Sequence, residues 1–224
     1  MEIVIVDQNH PSLFKLIVDK EISLRTFHPE DAEGLFQLLE QNRARFRPWI
    51  HPKTLHETAK ATRIFTIECF FDRLEETEES LALFRQYSQD LDGHFLSPRP
   101  SLEMGIWYHG SLVGFISVQN SYDSYTAAEF GYWLAEEWVG KGIITRCVSA
   151  LMDYKIANSN IERFVIQCAA TNLRSRAVAE RLGYRLHMMQ PNGEVVGEFV
   201  YDRAIYGIRV TAWQGRNKAN SDSK

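Results

Sequence analysis

Two glycines in the second half of the chain, Gly140 and Gly142, have the surroundings of an anion-binding turn. They follow a predicted strand and precede a predicted amphipathic helix over 142–157. The first amides of a helix lack partners within the helix, and glycine lets an anion approach the backbone closely. Lys141 and Thr145 would add a cation and a hydroxyl. A tight turn without any ligand would also use two glycines, so both interpretations stay open at this point.

The same turn does not fit either of the common nucleotide-binding motifs. The dinucleotide fingerprint GxGxxG needs a third glycine, and the residues up to Cys147 do not supply one. The Walker motif needs Ser or Thr after its lysine, whereas Gly142 follows Lys141. A Rossmann or P-loop fold is therefore disfavoured.

Hydrophobic periodicity divides the chain into an ordered series of strands and helices. Strands are predicted at 2–6, 22–27, 102–108, 112–119, 127–134, 163–170, 184–190 and 198–208, and helices from Pro29 and at 57–91, 142–157 and 173–182. His109-Gly-Ser111 and Pro191-Asn-Gly193 are predicted turns of two hairpins, and Gly183 a helix C-cap. This order predicts a mixed α+β fold around a central sheet.

Composition narrows the classes of partner. The 224-residue chain carries a formal net charge of −4, which argues against nucleic acid and is compatible with a cationic substrate. Three cysteines without CxxC spacing predict neither a disulfide framework nor a cysteine zinc site, and no metal is expected. We find no signal peptide and no run of about 18 apolar residues. The sequence thus predicts a cytoplasmic protein with no membrane partner.

Two segments around the glycine turn carry a family resemblance. Phe130-Gly-Tyr-Trp-Leu134 with Val139-Gly-Lys-Gly-Ile-Ile-Thr-Arg146 resembles motif A of the GNAT superfamily of N-acetyltransferases, and Ala170-Thr-Asn-Leu-Arg-Ser-Arg-Ala-Val-Ala-Glu-Arg-Leu-Gly-Tyr184 resembles its motif B. Residues 24–32, Asn42-Arg43 and Pro48-Trp49 are similar to the branch that acetylates ribosomal-protein N-termini, the Rim-type enzymes. The matches cover most of residues 22–208, and two linked motifs are more specific than either alone.

The resemblance implies a GNAT-type α+β fold. A twisted mixed sheet of six to seven strands, flanked by helices, would splay between its fourth and fifth strands. The implied domain spans 22–212, with an extension at 1–21 before it and a disordered tail at 213–224 after it. The stretch 65–100 is longer than this branch requires, so we interpret it as a helical insertion.

The resemblance also implies acetyl-CoA as the cosubstrate, with its pantetheine arm in the gap of the sheet. The residues that match the family's cofactor contacts, together with the charge and hydroxyl beside the turn, are Trp133, Leu134, Val139, Gly140, Lys141, Gly142, Ile143, Thr145 and Asn172. Glu137 departs from the family pattern, which has Gln or Arg three residues before the first glycine. Because the phosphate contacts there are mostly backbone amides, we expect the departure to be tolerated.

Acetyl transfer to an amine requires removal of a proton from the amine and benefits from a proton for the departing thiolate. The resemblance assigns these roles to Glu194, acting through water, and to Ser175. Both residues also have purely structural explanations. Ser175 would lie in the first turn of a helix capped by Thr171 or Asn172, and Glu194 could be a solvated hairpin residue.

Other side chains are open alternatives for the same chemistry. Glu129 and Glu103 lie on predicted central strands, where a carboxylate needs a reason for burial, and either could activate the amine through water. His51 is better explained as a surface residue. The remaining conspicuous aromatic side chains, Trp49, Tyr132 and Trp133, are interpreted as core or pocket wall.

We therefore predict an acetyl-CoA-dependent N-acetyltransferase that works by direct attack in a ternary complex. The Rim-type resemblance favours the N-terminal α-amine of a protein, such as a ribosomal protein, as the acceptor. A small amine (polyamine, aminoglycoside or amino acid) is the alternative acceptor. A non-catalytic acyl-CoA-binding or interaction protein on the same fold is the alternative class. Dimers are common in this branch, so a homodimer is expected.

Overall fold

The computed structural model describes residues 14–51, 55, 58–71, 101–121 and 124–221. Its strands are β1 (Lys15–Ile17), β2 (Ile22–Thr26), β3 (Ser101–Tyr108), β4 (Ser111–Ser121), β5 (Ser124–Leu134), β6 (Arg163–Ala169), β7 (Arg185–Val196) and β8 (Phe199–Arg209). Its helices are α1 (Ala32–Phe46), α2 (Ala59–Phe71), α3 (Ile143–Asn158), α4 (Leu173–Arg181) and α5 (Val210–Ser221). The strand predicted at 2–6 and most of the predicted insertion at 65–100 lie outside the described residues.

The strands form one mixed sheet in the order β1-β2-β3-β4-β5-β6-β8-β7. All neighbours are antiparallel except β5 and β6, which run parallel. The mixed α/β architecture predicted from the sequence is confirmed, although the described residues form eight strands and not six to seven. The additional strand, β1, pairs with β2 over only three residues, and so short a segment leaves no periodic pattern in the sequence.

The sheet opens between β5 and β6, which are the fourth and fifth of the strands predicted from residue 22 onward. The two strands share only three register pairs, from Ala127↔Arg163 to Glu129↔Val165. Beyond Glu129, β5 continues to Leu134 alongside β4, while β6 continues to Ala169 alongside β8. Within the described part of the chain, the facing edges of these two segments have no strand between them, and the splayed sheet is confirmed.

Two hydrophobic clusters lie on opposite faces of this sheet. Adjacent residues of β4 belong to different clusters, Phe115 to one and Ile116 to the other, as the alternation of a strand requires. The Phe115 cluster includes Leu39 and Phe46 of α1, and the Ile116 cluster includes the buried side of α3. Helices α1 and α2 therefore cover one face, and α3 and α4 cover the other.

The helices that flank the gap match the predicted bounds to within one residue. Helix α3 begins and ends one residue later than the predicted segment 142–157, and α4 ends one residue before the predicted 182. Gly183 follows α4 with a φ of +83°, a left-handed conformation that glycine adopts without strain. The C-cap predicted at this position is confirmed.

The turn between the last two strands differs from the prediction. Residues 191–193 lie inside β7, where the register with β8 shifts between Gln190 and Glu194. Asn192 has a φ of +52°, and its amide donates to Asp202 Oδ1 at 3.0 Å, which holds the irregularity against β8. The hairpin turns instead at Gly197, whose φ is +58°.

The C-terminal segment also differs from the prediction of a disordered tail from 213, since α5 is helical to Ser221. Trp213 explains the order, because its side chain is buried and its indole Nε1 donates to Asp153 Oδ1 of α3 at 2.7 Å. A buried indole with a satisfied donor is a strong anchor. None of the helices in the described residues combines the length and apolar character that crossing a bilayer requires.

Candidate active site

A cleft of about 940 Å³ lies where β5 and β6 separate. Eight of the nine predicted cofactor residues line it: Trp133, Leu134, Val139, Gly140, Gly142, Ile143, Thr145 and Asn172. Ser175 and Glu194, the two predicted catalytic residues, line the same cleft. Lys141 does not. The fold thus brings together residues from β5, α3, α4 and β7 that are up to about 60 positions apart in sequence.

The glycine turn forms one end of the cleft. Gly140 and Gly142 have φ values of +85° and +72°, and a Cβ added at either would meet no atom within 4 Å. Glycine is therefore required by the backbone conformation and not by crowding. Gly142 is the N-cap of α3 and has no side chain to bond the first helical amides. These amides suit an anion such as a phosphate.

The cleft lining beside this turn contains two cations that were not predicted, whereas the predicted Lys141 side chain points elsewhere. The Lys141 ammonium lies 4.1 Å from the centre of the Trp138 ring, in a cation–π contact outside the cleft lining. Arg174 and Arg181 of α4 line the cleft instead, and Arg181 donates to Thr145 Oγ1 at 2.9 Å. Their spacing of seven residues, about two helical turns, puts both arginines on one face of α4. This spacing is the sequence pattern by which the two cleft arginines could have been predicted.

Arg45 connects α1 to the end of β5. Its guanidinium donates to the Leu134 carbonyl and pairs with Glu136 at 2.7 Å. Glu136 also pairs with Arg174 at 3.3 Å, so one carboxylate joins α1 to α4 at the mouth of the gap. Burial lowers the pKa of Arg45, and the neighbouring Glu136 opposes this effect. The carbonyl of Leu134, a residue predicted to contact the cofactor, thus has Arg45 on one of its two lone pairs.

Ser175 lies at the start of α4, where two polar contacts hold it. Asn172 is the N-cap, and its Oδ1 accepts a hydrogen bond from the Ser175 amide at 3.2 Å. The Tyr132 hydroxyl lies 3.1 Å from Ser175 Oγ and 3.3 Å from the Ser175 carbonyl oxygen. The capping role considered for Asn172 is thus present, and Tyr132, interpreted from the sequence as wall, makes a polar contact with the candidate catalytic serine.

Glu194 lines the cleft from β7 and is paired with a cation. Arg203 Nε of β8 donates to Glu194 Oε2 at 2.7 Å, with both side chains about two-thirds or more shielded from solvent. Glu129 lies on β5 outside the lining, and its Oε2 accepts from Gln167 Nε2 at 3.1 Å. Burial raises the pKa of Glu129, although Arg203 and Gln167 partly oppose the shift.

The remaining alternatives from the sequence are further from the cleft or form its wall. Glu103 accepts from Ser101 Oγ at 3.2 Å and from Cys69 Sγ at 3.3 Å, and it is not part of the lining. His51 lines the outer part of the cleft and is exposed. Trp49 stacks on Tyr201 with ring centres 5.6 Å apart.

The arrangement offers three chemical functions in one cleft. Uncapped helical amides with two arginines can hold a diphosphate. The edge of β5 beyond Glu129, where β6 no longer pairs with it, can bond an amide-containing chain. Ser175 supplies a hydroxyl, and Glu194 supplies a carboxylate that can accept a proton. No group of three or more His, Cys, Asp or Glu side chains in the described ranges is arranged to hold a metal ion.

Comparison with known proteins agrees with this geometry. The family model "Acetyltransferase (GNAT) domain" matches residues 21–185. A protein of Bacillus subtilis (strain 168) named "Putative ribosomal N-acetyltransferase YdaF" is 31% identical over 203 residues, which are 91% of this chain and 99% of that protein.

Two solved structures are similar in fold. The acetyltransferase MccE, of microcin C7 self immunity, in complex with acetyl-CoA and AMP, is 25% identical with a TM-score of 0.63, over 87% of this chain and 96% of its own. RimL, the ribosomal L7/L12 α-N-protein acetyltransferase, in complex with coenzyme A, has a TM-score of 0.68 over 88% of this chain and 98% of its own. Its identity is 23%. With the glycine turn, the splayed sheet and the family match in agreement, the chain belongs to the GNAT family of acetyltransferases.

Proposed function

We propose that this acetyltransferase takes an acetyl group from acetyl-CoA and transfers it directly to a primary amine in the cleft between β5 and β6. The observation that carries the proposal is that the glycine turn, Ser175 and Glu194 all line that one cleft. The residues present fit the cosubstrate, because open left-handed glycines, uncapped amides and two arginines surround one end. Acetyl-CoA supplies the activated thioester, and the chain supplies orientation and proton handling.

In this proposal the backbone amides of residues 139–143 hold the phosphates, with Lys141 contributing its amide and not its ammonium. The edge of β5 at Trp133 and Leu134 binds the pantetheine amides as an added strand would. Thr145 and Asn172 support these contacts from the starts of α3 and α4. The catalytic domain would span 22–212, and a cytoplasmic location and a homodimer stay predictions.

Ser175 and Glu194 handle the protons. Ser175 donates a hydrogen bond to the sulfur as the carbon–sulfur bond breaks, and the sulfur keeps the electron pair of that bond. Glu194 accepts a proton from the acceptor ammonium through a water molecule. The ion pair with Arg203 fixes the direction of the Glu194 carboxylate toward the cleft.

The acceptor that we propose is the N-terminal α-amine of a protein, with a ribosomal protein as the specific candidate. The support comes from the names of relatives: the B. subtilis relative is named for ribosomal N-acetylation, and RimL for the α-amine of L7/L12. An assay with acetyl-CoA and short peptides tests this choice. A peptide with a free N-terminus should be acetylated, whereas its N-terminally blocked version with an internal lysine should not. Transfer only to spermidine or an aminoglycoside would contradict it.

Calorimetric titration with acetyl-CoA and with CoA tests the cosubstrate. We expect saturable binding near micromolar affinity, roughly −8 kcal/mol. Ser175→Ala and Glu194→Gln should each lower turnover about 100-fold, the usual scale of a positioned acid or base, with nearly unchanged affinity for acetyl-CoA. Glu198→Gln, at an exposed carboxylate in the β7–β8 turn, is the matched control. Absence of binding by the folded protein would contradict the proposal, and wild-type turnover in both variants would remove the assigned roles.

A further inference from the structure

Tyr132 and Ser175 make a side-chain contact that joins β5 to α4 at the cleft, and their hydroxyl oxygens are 3.1 Å apart. Tyr132 belongs to β5, and Ser175 to the helix that follows β6, so the contact connects the two arms of the splayed sheet. We infer that Tyr132 is a positioning residue: its hydroxyl donates to Ser175 Oγ and leaves the serine's own proton free to face the sulfur of the cosubstrate. The inference rests on the proposed function.

The hydrogen-bonding capacity of a serine hydroxyl supports this direction. The hydroxyl has one proton and two acceptor lone pairs. Burial raises the pKa of Tyr132, so its hydroxyl keeps its proton across the working pH range and remains a donor. The Tyr132 hydroxyl lies within hydrogen-bonding distance of both Ser175 Oγ and the Ser175 carbonyl oxygen, and Oγ is the nearer of the two.

Ser175 lines the cleft. With Tyr132 donating to one lone pair of Ser175 Oγ, the serine's own proton is free to go to a different partner. That proton is therefore available to a group in the cleft.

The ordering of Ser175 should therefore appear in how the protein binds CoA at different pH values. A hydrogen-bond donor at the sulfur favours the thiolate over the thiol and lowers the pKa of bound CoA. The affinity for CoA then rises with pH between the pKa of the bound thiol and that of the free thiol. Acetyl-CoA has no ionisable sulfur, so the ratio of the two affinities isolates this effect.

The test is calorimetric titration of CoA and acetyl-CoA from pH 6 to about 9 (spanning the ordinary thiol pKa), with wild type, Ser175→Ala and Tyr132→Phe. In wild type the preference for CoA should increase with pH. In Ser175→Ala the rise in the ratio of CoA affinity to acetyl-CoA affinity should be about tenfold smaller, as expected for the loss of one hydrogen bond to a charged group. In Tyr132→Phe the rise should be reduced by most of the same factor. Affinity for acetyl-CoA should stay unchanged, which also shows that the variants are folded.

Tyr184→Phe is the matched control. Tyr184 is buried, and its hydroxyl donates to Met152 Sδ at 3.3 Å, outside the cleft lining. It should behave as wild type. The double variant Tyr132→Phe/Ser175→Ala should be no worse than Ser175→Ala, because Tyr132 acts through Ser175.

The outcomes separate this inference from the proposed function. Wild-type protein that binds neither CoA nor acetyl-CoA would contradict both. Normal binding with no pH-dependent preference for CoA, a Tyr132→Phe variant identical to wild type, or additive losses in the double variant would each overturn the inference alone. Tyr132→Phe with an effect in the absence of any effect of Ser175→Ala would also overturn it, since the tyrosine would then act by another route.

Discussion

The carboxylates near the cleft are divided between two environments. Glu194 is at the lining with Arg203 as its partner, whereas Glu129 lies behind it on β5 with Gln167 as its partner. Arg203 and Glu194 both act on Glu129 electrostatically, with opposite signs. The three charges form one group in which Glu194 lines the cleft, while burial raises the pKa of Glu129.

Glu129 should therefore make stability depend on pH. Its pKa is higher in the folded than in the unfolded protein, mainly because burial disfavours the carboxylate. As pH rises above the ordinary carboxyl pKa of about 4.3, the unfolded chain ionises first and gains relative stability. Glu129→Gln removes this penalty and retains an acceptor for Gln167. The free energy of unfolding, measured by urea denaturation, should increasingly favour the variant as pH rises from 4 toward neutrality.

Glu162→Gln provides the comparison for that experiment. Glu162 is exposed at the start of β6, so neutralising it removes one charge without relieving any burial. A variant of Glu129 that loses stability relative to wild type as pH rises would show that the charge interaction with Arg203 outweighs burial, contrary to our prediction.

Gly142 lies where the glycine turn meets α3. Both the local backbone structure and the proposed phosphate binding depend on this residue. Gly142→Ala forces an L side chain into a left-handed conformation, which costs about 1 kcal/mol or somewhat more. It would also shift the first amides of α3, which we propose hold the phosphates of acetyl-CoA. We expect a loss of about tenfold in acetyl-CoA affinity by calorimetry, about the effect of one such hydrogen bond to a charged group.

Gly110→Ala is a closely matched control, because Gly110 has a φ of +81° and also has no atom within 4 Å of an added Cβ. It lies in the β3–β4 hairpin, outside the cleft lining. Both variants should lose similar stability in urea denaturation, but only Gly142→Ala should bind acetyl-CoA less tightly. Equal affinity in the two variants would show that the turn before α3 does not hold the phosphates.

The features that the sequence predicted correctly are formed by residues close together in the chain. The glycine turn, helices α3 and α4 and the Gly183 cap each depend on residues within about one element, so spacing and capping preferences were enough. The hairpin turn predicted at Pro191-Asn-Gly193 was wrong because the chain has a second glycine suited to that turn, Gly197, four residues later. Gly197 supplied the left-handed residue between the strands, and Asn192 took a positive φ inside β7.

What the sequence could not predict were contacts between distant elements. Tyr132 reaches Ser175 across 43 positions, and Arg45 reaches the Leu134 carbonyl across 89. Neither has a local pattern, because each depends on how far β5 and β6 separate. The cation–π contact between Lys141 and the nearby Trp138 ring was also not predicted, although the two residues are only three positions apart.

For the whole molecule, the short pairing between β5 and β6 divides the sheet into two arms joined over three register pairs. A ligand that adds hydrogen bonds along β5 should connect those arms and slow local opening there. Hydrogen exchange with and without acetyl-CoA should show increased protection at residues 130–134 and at the start of α3. The remote β2 segment (Ile22–Thr26) should change little, and a uniform increase across the sheet would contradict this localisation.

The position of β8 has a consequence for biosynthesis. It is the last strand in the sequence, yet it lies between β6 and β7 and pairs with β6 over seven residues, compared with three between β6 and β5. While the ribosome is still making residues 199–209, β6 and β7 have no strand to join them, and the second wall of the cleft cannot form. Trp213 then fastens the following helix to α3. The cleft thus becomes complete only after residues 199–209 have emerged, and products terminated before β8 should be inactive.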